Sequence, residues 1–234
     1  MTQPAWTPRD WSTQPKLIHA EYRSSLLRGP TRPLVRLAPT LTEITGPTHL
    51  HAGVDALDAD LTRNGRRNGE PQGERIIITG RVLGDDGRPV PDTAVELWQT
   101  NAAGRYIHAT DQHDAPLDPN FFGAGRSVTD SQGWYRFTTI KPGAYPWANH
   151  HNAWRPAHIH FSVFGPSFST RLITQMYFPS DPLLALDPVY LAVPEASRPA
   201  LVAGFSLDHT LPGIALGYVF DIVLRGSTAT PMEA

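Results

Sequence analysis

The sequence predicts an all-β chain: a single β-sandwich of short, mostly antiparallel strands, with long functional loops and an irregular N-terminal arm. Three observations carry this. At least seven short β-rich runs are separated by turn residues. The 234 residues include 23 Pro and 19 Gly; Pro is at about twice its usual ~5% share, which favours turns over long helices. Hydrophobic residues make up 40% and charged residues 18%, enough to bury a core and too apolar for disorder.

Taken in order, residues 1–73 are polar, Pro-rich and irregular. Thr40, Leu41, Thr42 and Glu43 could cap one helical turn that Gly46 and Pro47 would end. The apolar pairs Leu26-Leu27 and Leu34-Val35 make this arm unsuited to be a free tail, so it is expected to pack on the core or on a partner chain. The sandwich itself is expected over 74–234. It opens with the run around Ile76, Ile77, Ile78 and Val82, turns at 84–87 and returns over 90–98. A second hairpin runs from Ser127, Val128 and Thr129 through the turn at 130–133 into 134–140. Strands over 158–164, 172–178 and 219–224 complete the set, with a short helix in 194–205. Two long connections interrupt this spacing, 100–126 and 141–157; long structureless loops in a compact domain are usually functional.

Composition excludes several classes. A net charge of −2 offers no basic footprint for nucleic acid and no polybasic patch for a membrane. Without Cys there is no disulfide framework, thiolate metal site or cysteine nucleophile. The first residues lack the apolar run of a signal peptide, and no stretch approaches the ~20 apolar residues of a membrane span. A cytoplasmic location fits these features.

His158 and His160 lie two apart on an expected strand, so both imidazoles share a face while Ile159 points away. Such a pair fits a metal site, but equally a solvated face or two core histidines. His49 and His51 have the same spacing in an irregular segment that aims them nowhere. His150 and His151 are adjacent and point apart, and His108 and His113 sit in a long loop without an evident partner. Tyr106 and Tyr145 sit one in each long connection. A loop tyrosine is ordinarily a packed aromatic with its hydroxyl tied to backbone. Pro146 biases Tyr145 to extended backbone, and Gly143 permits a bend before it.

The segments around these residues, above all WRPAHIHFS at 154–162, resemble the intradiol ring-cleaving dioxygenases, and within them the β type of the protocatechuate-cleaving enzymes. The likeness runs from 23–28 (RSSLLR) through 73–77 (GERII) and 115–121 (APLDPNF) to 220–226 (FDIVLRG). Ala144 departs from the family, which usually has Pro there. The resemblance implies non-haem Fe(III) bound by Tyr106, Tyr145, His158 and His160, with a solvent hydroxide as fifth ligand. The chemistry is compatible: phenolate is a hard anionic donor suited to a small trivalent ion, and free tyrosine, with a pKa near ~10, ligates only when a metal takes its proton. Zinc prefers Cys, His or carboxylate, and a ferrous facial triad wants a carboxylate beside its two histidines.

The resemblance further implies that Tyr145 is the ligand that leaves, so that it doubles as internal base for an incoming catechol while Tyr106 is retained. It assigns Arg155 to stabilising carbanionic substrate. Spacing alone would put Arg155 opposite His158 and on the surface, unless Pro156 bends the lead-in. Gln175 and Trp147 are expected at the substrate, although a solvent-facing glutamine and a core tryptophan would read the same. Tyr22 is a candidate contact for a substrate carboxylate. The implied reaction is O2-dependent cleavage of protocatechuate between its hydroxyl-bearing carbons, to 3-carboxy-cis,cis-muconate. The implied partner is a homologous α subunit lacking the iron ligands, in an αβ hetero-oligomer.

Two alternatives remain. Relatives acting on catechol or hydroxyquinol usually carry a helical N-terminal segment, whereas 1–73 is Pro-rich. Residues 80–106 and 130–145 also resemble transthyretin-like and carboxypeptidase-regulatory modules, which are often non-catalytic but have no need of the four-residue set.

Overall fold

The structure is a computed structural model that describes residues 10–33, 35, 53–148, 151, 154–164 and 171–233. The expected cap at 40–43 and the His49–His51 pair lie outside the described residues, as do Leu34 and His150. Among the described residues there are eleven strands: β1 (Arg75–Leu83), β2 (Ala94–Trp98), β3 (Ala124–Val128), β4 (Trp134–Ile140), β5 (Tyr145–Pro146), β6 (Trp154–Arg155), β7 (His158–Phe164), β8 (Arg171–Tyr177), β9 (Gly204–Leu211), β10 (Ala215–Val219) and β11 (Ile222–Val223). Among the same residues two one-turn helices, α1 (Ser25–Arg28) and α2 (Pro188–Leu191), and three 3-10 turns accompany them.

Nine of these strands form two facing sheets, and β5 and β6 pair as a separate short ribbon. In the first, β1 pairs antiparallel with β4 and parallel with β10 and then β11, while β9 closes the edge beside β10. The second is antiparallel throughout, in the order β3-β2-β7-β8. Period-two alternation sends Ile76, Ile78, Tyr135 and Phe137 from one sheet, and Val95, Leu97, Ile159, Phe161 and Met176 from the other, into one core. Each such side chain is worth about 1.5–3 kcal/mol when fully buried. Leu61 joins that core from before β1, its backbone N–H bonded to Thr138 O. By contrast Leu26, Leu27 and Val35 of the N-terminal region are exposed.

Two expected hairpins are not hairpins. The turns at 84–87 and 130–133 exist, with Gly87 and Gly133 at φ near 75–77°, but each joins strands of different sheets. β2 begins only at Ala94 and pairs with β3 and β7; a single bridge, Leu83↔Pro89, remains of the return towards β1. Pro89 and Pro91 cannot donate to a ladder, and Asp92 adopts φ 51°, so the chain crosses the sandwich there. Likewise β3 pairs with β2, and β4 with β1. The expected strand over 219–224 is split at Phe220 and Asp221 into β10 and β11. The expected helix in 194–205 is a 3-10 turn over Glu195–Leu201, followed by β9, a largely exposed edge strand with no buried run to announce it.

The second sheet presents its outward row to the long connections. Register places Trp98 opposite His160 and His160 opposite Gln175, with His158 opposite Tyr177. Among the described residues no helix is long and apolar enough to cross a membrane.

Candidate metal centre

β7 carries Ile159 and Phe161 into the core, so His158 and His160 turn together to the outer face, where both are buried under the loops. Their rings sit edge to face with centroids 4.9 Å apart. Trp98 stacks on His160 at 4.8 Å with planes only 5° apart, which fixes that ring's plane.

The tyrosines arrive on two loops bolted together. After β2 the chain folds on Asn101, whose side-chain oxygen accepts from the N–H groups of Ala103 and Arg105. Tyr106 N then donates to Asp111 Oδ2 at 2.7 Å. Thr100 Oγ1 and Asn101 O bond the backbone of Gly143, in the loop that delivers Tyr145. Only glycine fits at this seam: a Cβ on Gly104, at φ 77°, would lie 2.1 Å from Ala144 O, and one on Gly143 2.5 Å from Ala102 O. The short β5–β6 ribbon then sets Tyr145 opposite Arg155.

Four polar atoms converge as a result. Tyr106 Oη lies 3.1 Å from His160 Nε2, and Tyr145 Oη lies 3.4 Å from His158 Nε2. The phenol rings meet edge to face at 5.5 Å. Each imidazole is oriented from behind, His158 Nδ1 donating to Pro156 O at 2.8 Å and His160 Nδ1 to Glu233 Oε2 at 3.0 Å. With Nδ1 carrying the proton, both Nε2 lone pairs face the phenols.

Burial, Arg155 and His160 hold His158 well below the usual histidine range, so it stays neutral. Burial raises both phenols. Tyr106 is pushed further by Tyr145, while the Arg155 guanidinium pulls each one back. These groups are poor acids on their own, and a cation between them is what would ionise them. Among the described residues no three His, Cys, Asp or Glu side chains gather as a metal cluster, so a carboxylate-rich cage is not on offer. Two imidazole nitrogens and two phenol oxygens fit a hard trivalent ion.

Arg155 does not lie on the strand of the histidines. It sits on β6, and Pro156 and Ala157 redirect the chain before β7, which is why spacing misplaced it on the surface. Arg155 is 3% exposed. Nε and Nη2 donate to Asp187 Oδ1 and Oδ2 at 3.0 and 2.8 Å. Nη2 also donates to Gln175 Oε1 and Tyr177 Oη. Nη1 lies 3.4 Å from His158 Nε2 and faces the centre. Despite the desolvation cost, Tyr177 and Asp187 raise the guanidinium well above its ordinary value, so it stays charged. Gln175 is thus buried in the network rather than turned to solvent. The Trp147 ring lies 5.4 Å from the guanidinium carbon, and Tyr22 meets Trp147 edge-on at 4.9 Å while accepting from Arg28 Nη2. A cleft of about 740 Å³ opens over Tyr106, Tyr145, Trp98 and Trp147.

Two histidines of the first long connection have partners outside the centre. His113 Nδ1 bonds Gly104 O, and His108 Nδ1 bonds Thr110 Oγ1. Sequence reasoning missed Trp98, Tyr177, Asp187 and Glu233. Asp187 before Pro188 is a legible helix N-cap signal, and its Oδ2 does accept from Tyr190 N. Nothing local ties it to Arg155.

Residues 44–226 match the family model described as Dioxygenase, and residues 7–40 the one described as Protocatechuate 3,4-dioxygenase beta subunit N terminal. The chain is 62% identical to the protocatechuate 3,4-dioxygenase beta chain of Burkholderia cepacia over 97% of each. It is 30% identical to that organism's protocatechuate 3,4-dioxygenase alpha chain, over 68% of this chain and 76% of the other. Among solved structures, 3-chlorocatechol 1,2-dioxygenase from Rhodococcus opacus 1CP superposes with a TM-score of 0.56 at 24% identity, covering 73% of this chain and 66% of that one, which speaks for the fold.

Proposed function

The chain belongs to the ring-cleaving dioxygenase family, and we propose on that footing that it is the iron-bearing β-type chain of a protocatechuate 3,4-dioxygenase. The substrate class follows from the 62% relative and from the match at 7–40. Tyr106, Tyr145, His158 and His160 would hold non-haem Fe(III). The observation that carries this is the convergence of two Nε2 lone pairs with two phenol oxygens, and no competing carboxylate cluster among the described residues. When bound, the ferric ion would supply the Lewis acidity that ionises the phenols and turns a chelated catecholate into a partner for O2.

The chain's own residues do the rest. Tyr145, ionised only when the ion is bound, would leave it as the phenol by taking up one proton of an incoming catechol, and its place on the two-residue strand β5 leaves it freer to swing than Tyr106, whose backbone N–H Asp111 anchors. Arg155 Nη1, the one arm of the guanidinium not committed to Asp187, stabilises negative charge developing on the ring. Gln175 holds that guanidinium, Trp147 would wall the ring pocket, and Tyr22, edge-on to Trp147, would contact a substrate carboxylate.

Residues 1–73 act as an arm and 74–234 as the catalytic sandwich. The alpha chain relative supports assembly with a homologous α subunit, and the cytoplasm is the proposed location.

The test is a purified αβ complex given protocatechuate and O2. A burgundy protein that consumes one O2 per substrate and forms 3-carboxy-cis,cis-muconate is expected. A colourless zinc protein, or preferential turnover of catechol or hydroxyquinol, overturns the assignment.

A further inference from the structure

We propose that Glu233 is a positioning residue of the metal centre: its carboxylate fixes the His160 tautomer and adds electron density to that ligand, making the two histidines unequal donors. This rests on the ferric reading above.

The inequality is visible in what holds each imidazole from behind. His158 Nδ1 donates to a neutral carbonyl, Pro156 O, whereas His160 Nδ1 donates to a carboxylate, Glu233 Oε2, at 3.0 Å. A carboxylate behind a ligating imidazole makes the opposite nitrogen more basic, and such partners commonly govern metal affinity by 10- to 100-fold.

Glu233 is itself held. Its backbone N–H donates to Ile173 O on β8, Met232 N donates to the buried Gln14 Oε1, and Thr174 Oγ1 donates to Pro231 O. Segment 230–233 is thereby laid along the second sheet, with the carboxylate against His160. Trp98 fixes the plane of the same imidazole, so stack and carboxylate together leave His160 a single orientation.

The experiment compares the αβ complex of the natural chain with Glu233→Gln and Glu233→Ala. Glu233→Gln keeps the backbone bond to Ile173 and an acceptor oxygen but removes the charge. Iron retention is read by competition with a chelator, and the phenolate-to-iron band by visible spectroscopy without substrate. Glu233→Gln is expected to weaken iron retention by about 10-fold and move the band to longer wavelength, because a poorer donor leaves the ion more electron-poor. Glu233→Ala is expected to weaken retention by up to about 100-fold. Glu233→Gln decides the matter should the alanine variant fail to assemble. If both variants keep the natural band and affinity, or if only thermal stability falls, Glu233 is merely an anchor for its segment. A natural complex that takes up no iron overturns the ferric reading instead.

Discussion

Arg155 and Asp187, 32 residues apart in sequence, meet edge to edge with both groups almost wholly buried: Nε to Oδ1 at 3.0 Å and Nη2 to Oδ2 at 2.8 Å. The pairing commits one edge of the guanidinium and turns Nη1 to the metal centre. The same carboxylate caps α2, so a helix end and an active-site cation share one anion.

Asp187→Asn should therefore cost more than a surface change. Removing one partner of a buried pair leaves an uncompensated charge, worth about 3–5 kcal/mol. Thermal denaturation of the αβ complex should show that loss, and kcat should fall by up to about 100-fold as the guanidinium drifts. Combining Asp187→Asn with Arg155→Gln should recover part of the stability; equal or greater loss would refute the pairing as the cause.

Gly104→Ala should separate backbone strain from damage to the site. At φ 77° the new Cβ would press on Ala144 O beside Tyr145. A loss of at least about 1–2 kcal/mol is expected from the conformation alone, with iron content falling as the two loops part. Gly87→Ala, at φ 75° with open space around it, should cost the strain and leave iron untouched. Metal analysis alongside thermal melts tells the two apart.

The two tyrosines should respond differently to loss of their hydroxyls. Tyr145→Phe should keep iron, alter the visible band and slow substrate chelation by about 10²–10⁴-fold, the range for a lost general base. Tyr106→Phe should instead weaken iron retention. Stopped-flow mixing with protocatechuate under anaerobic conditions reads chelation directly, and identical chelation rates in Tyr145→Phe and the natural chain would sink the internal-base role.

Alkaline stability reports on the core. Tyr135 Oη donates to Phe220 O, and burial raises this phenol well above 10.0. The unfolded chain then loses its proton first and binds fewer protons than the native state, so the contribution is full below pH ~10 and is lost as pH rises beyond it. Tyr135→Phe should cost about 1 kcal/mol at neutral pH and flatten the decline in denaturation midpoint above pH 10. The decline should not vanish, because burial raises Tyr177 as well.

What the sequence disclosed was local. The β class was legible because turn residues punctuate short β-rich runs, and the shared face of His158 and His160 because side chains alternate along a strand. The Gly- and Pro-bounded loops marked where Tyr106 and Tyr145 would sit. Sheet membership was not legible. A turn such as 130–133 reads the same whether it reverses a strand within one sheet or carries the chain across to the other, and only the partners of β3 and β4 decide.

The sequence by itself determined the fold class and, through its likeness to a family, nominated the side chains for the centre. Tertiary structure alone decided how they are held: Arg155 by Asp187 from 32 positions away, and His160 by Glu233 from 73. Strand periodicity and turn chemistry are set by neighbours along the chain. The groups that orient a buried imidazole or neutralise a buried guanidinium are set by which distant segments the packed core brings over them, and that carries no local signature.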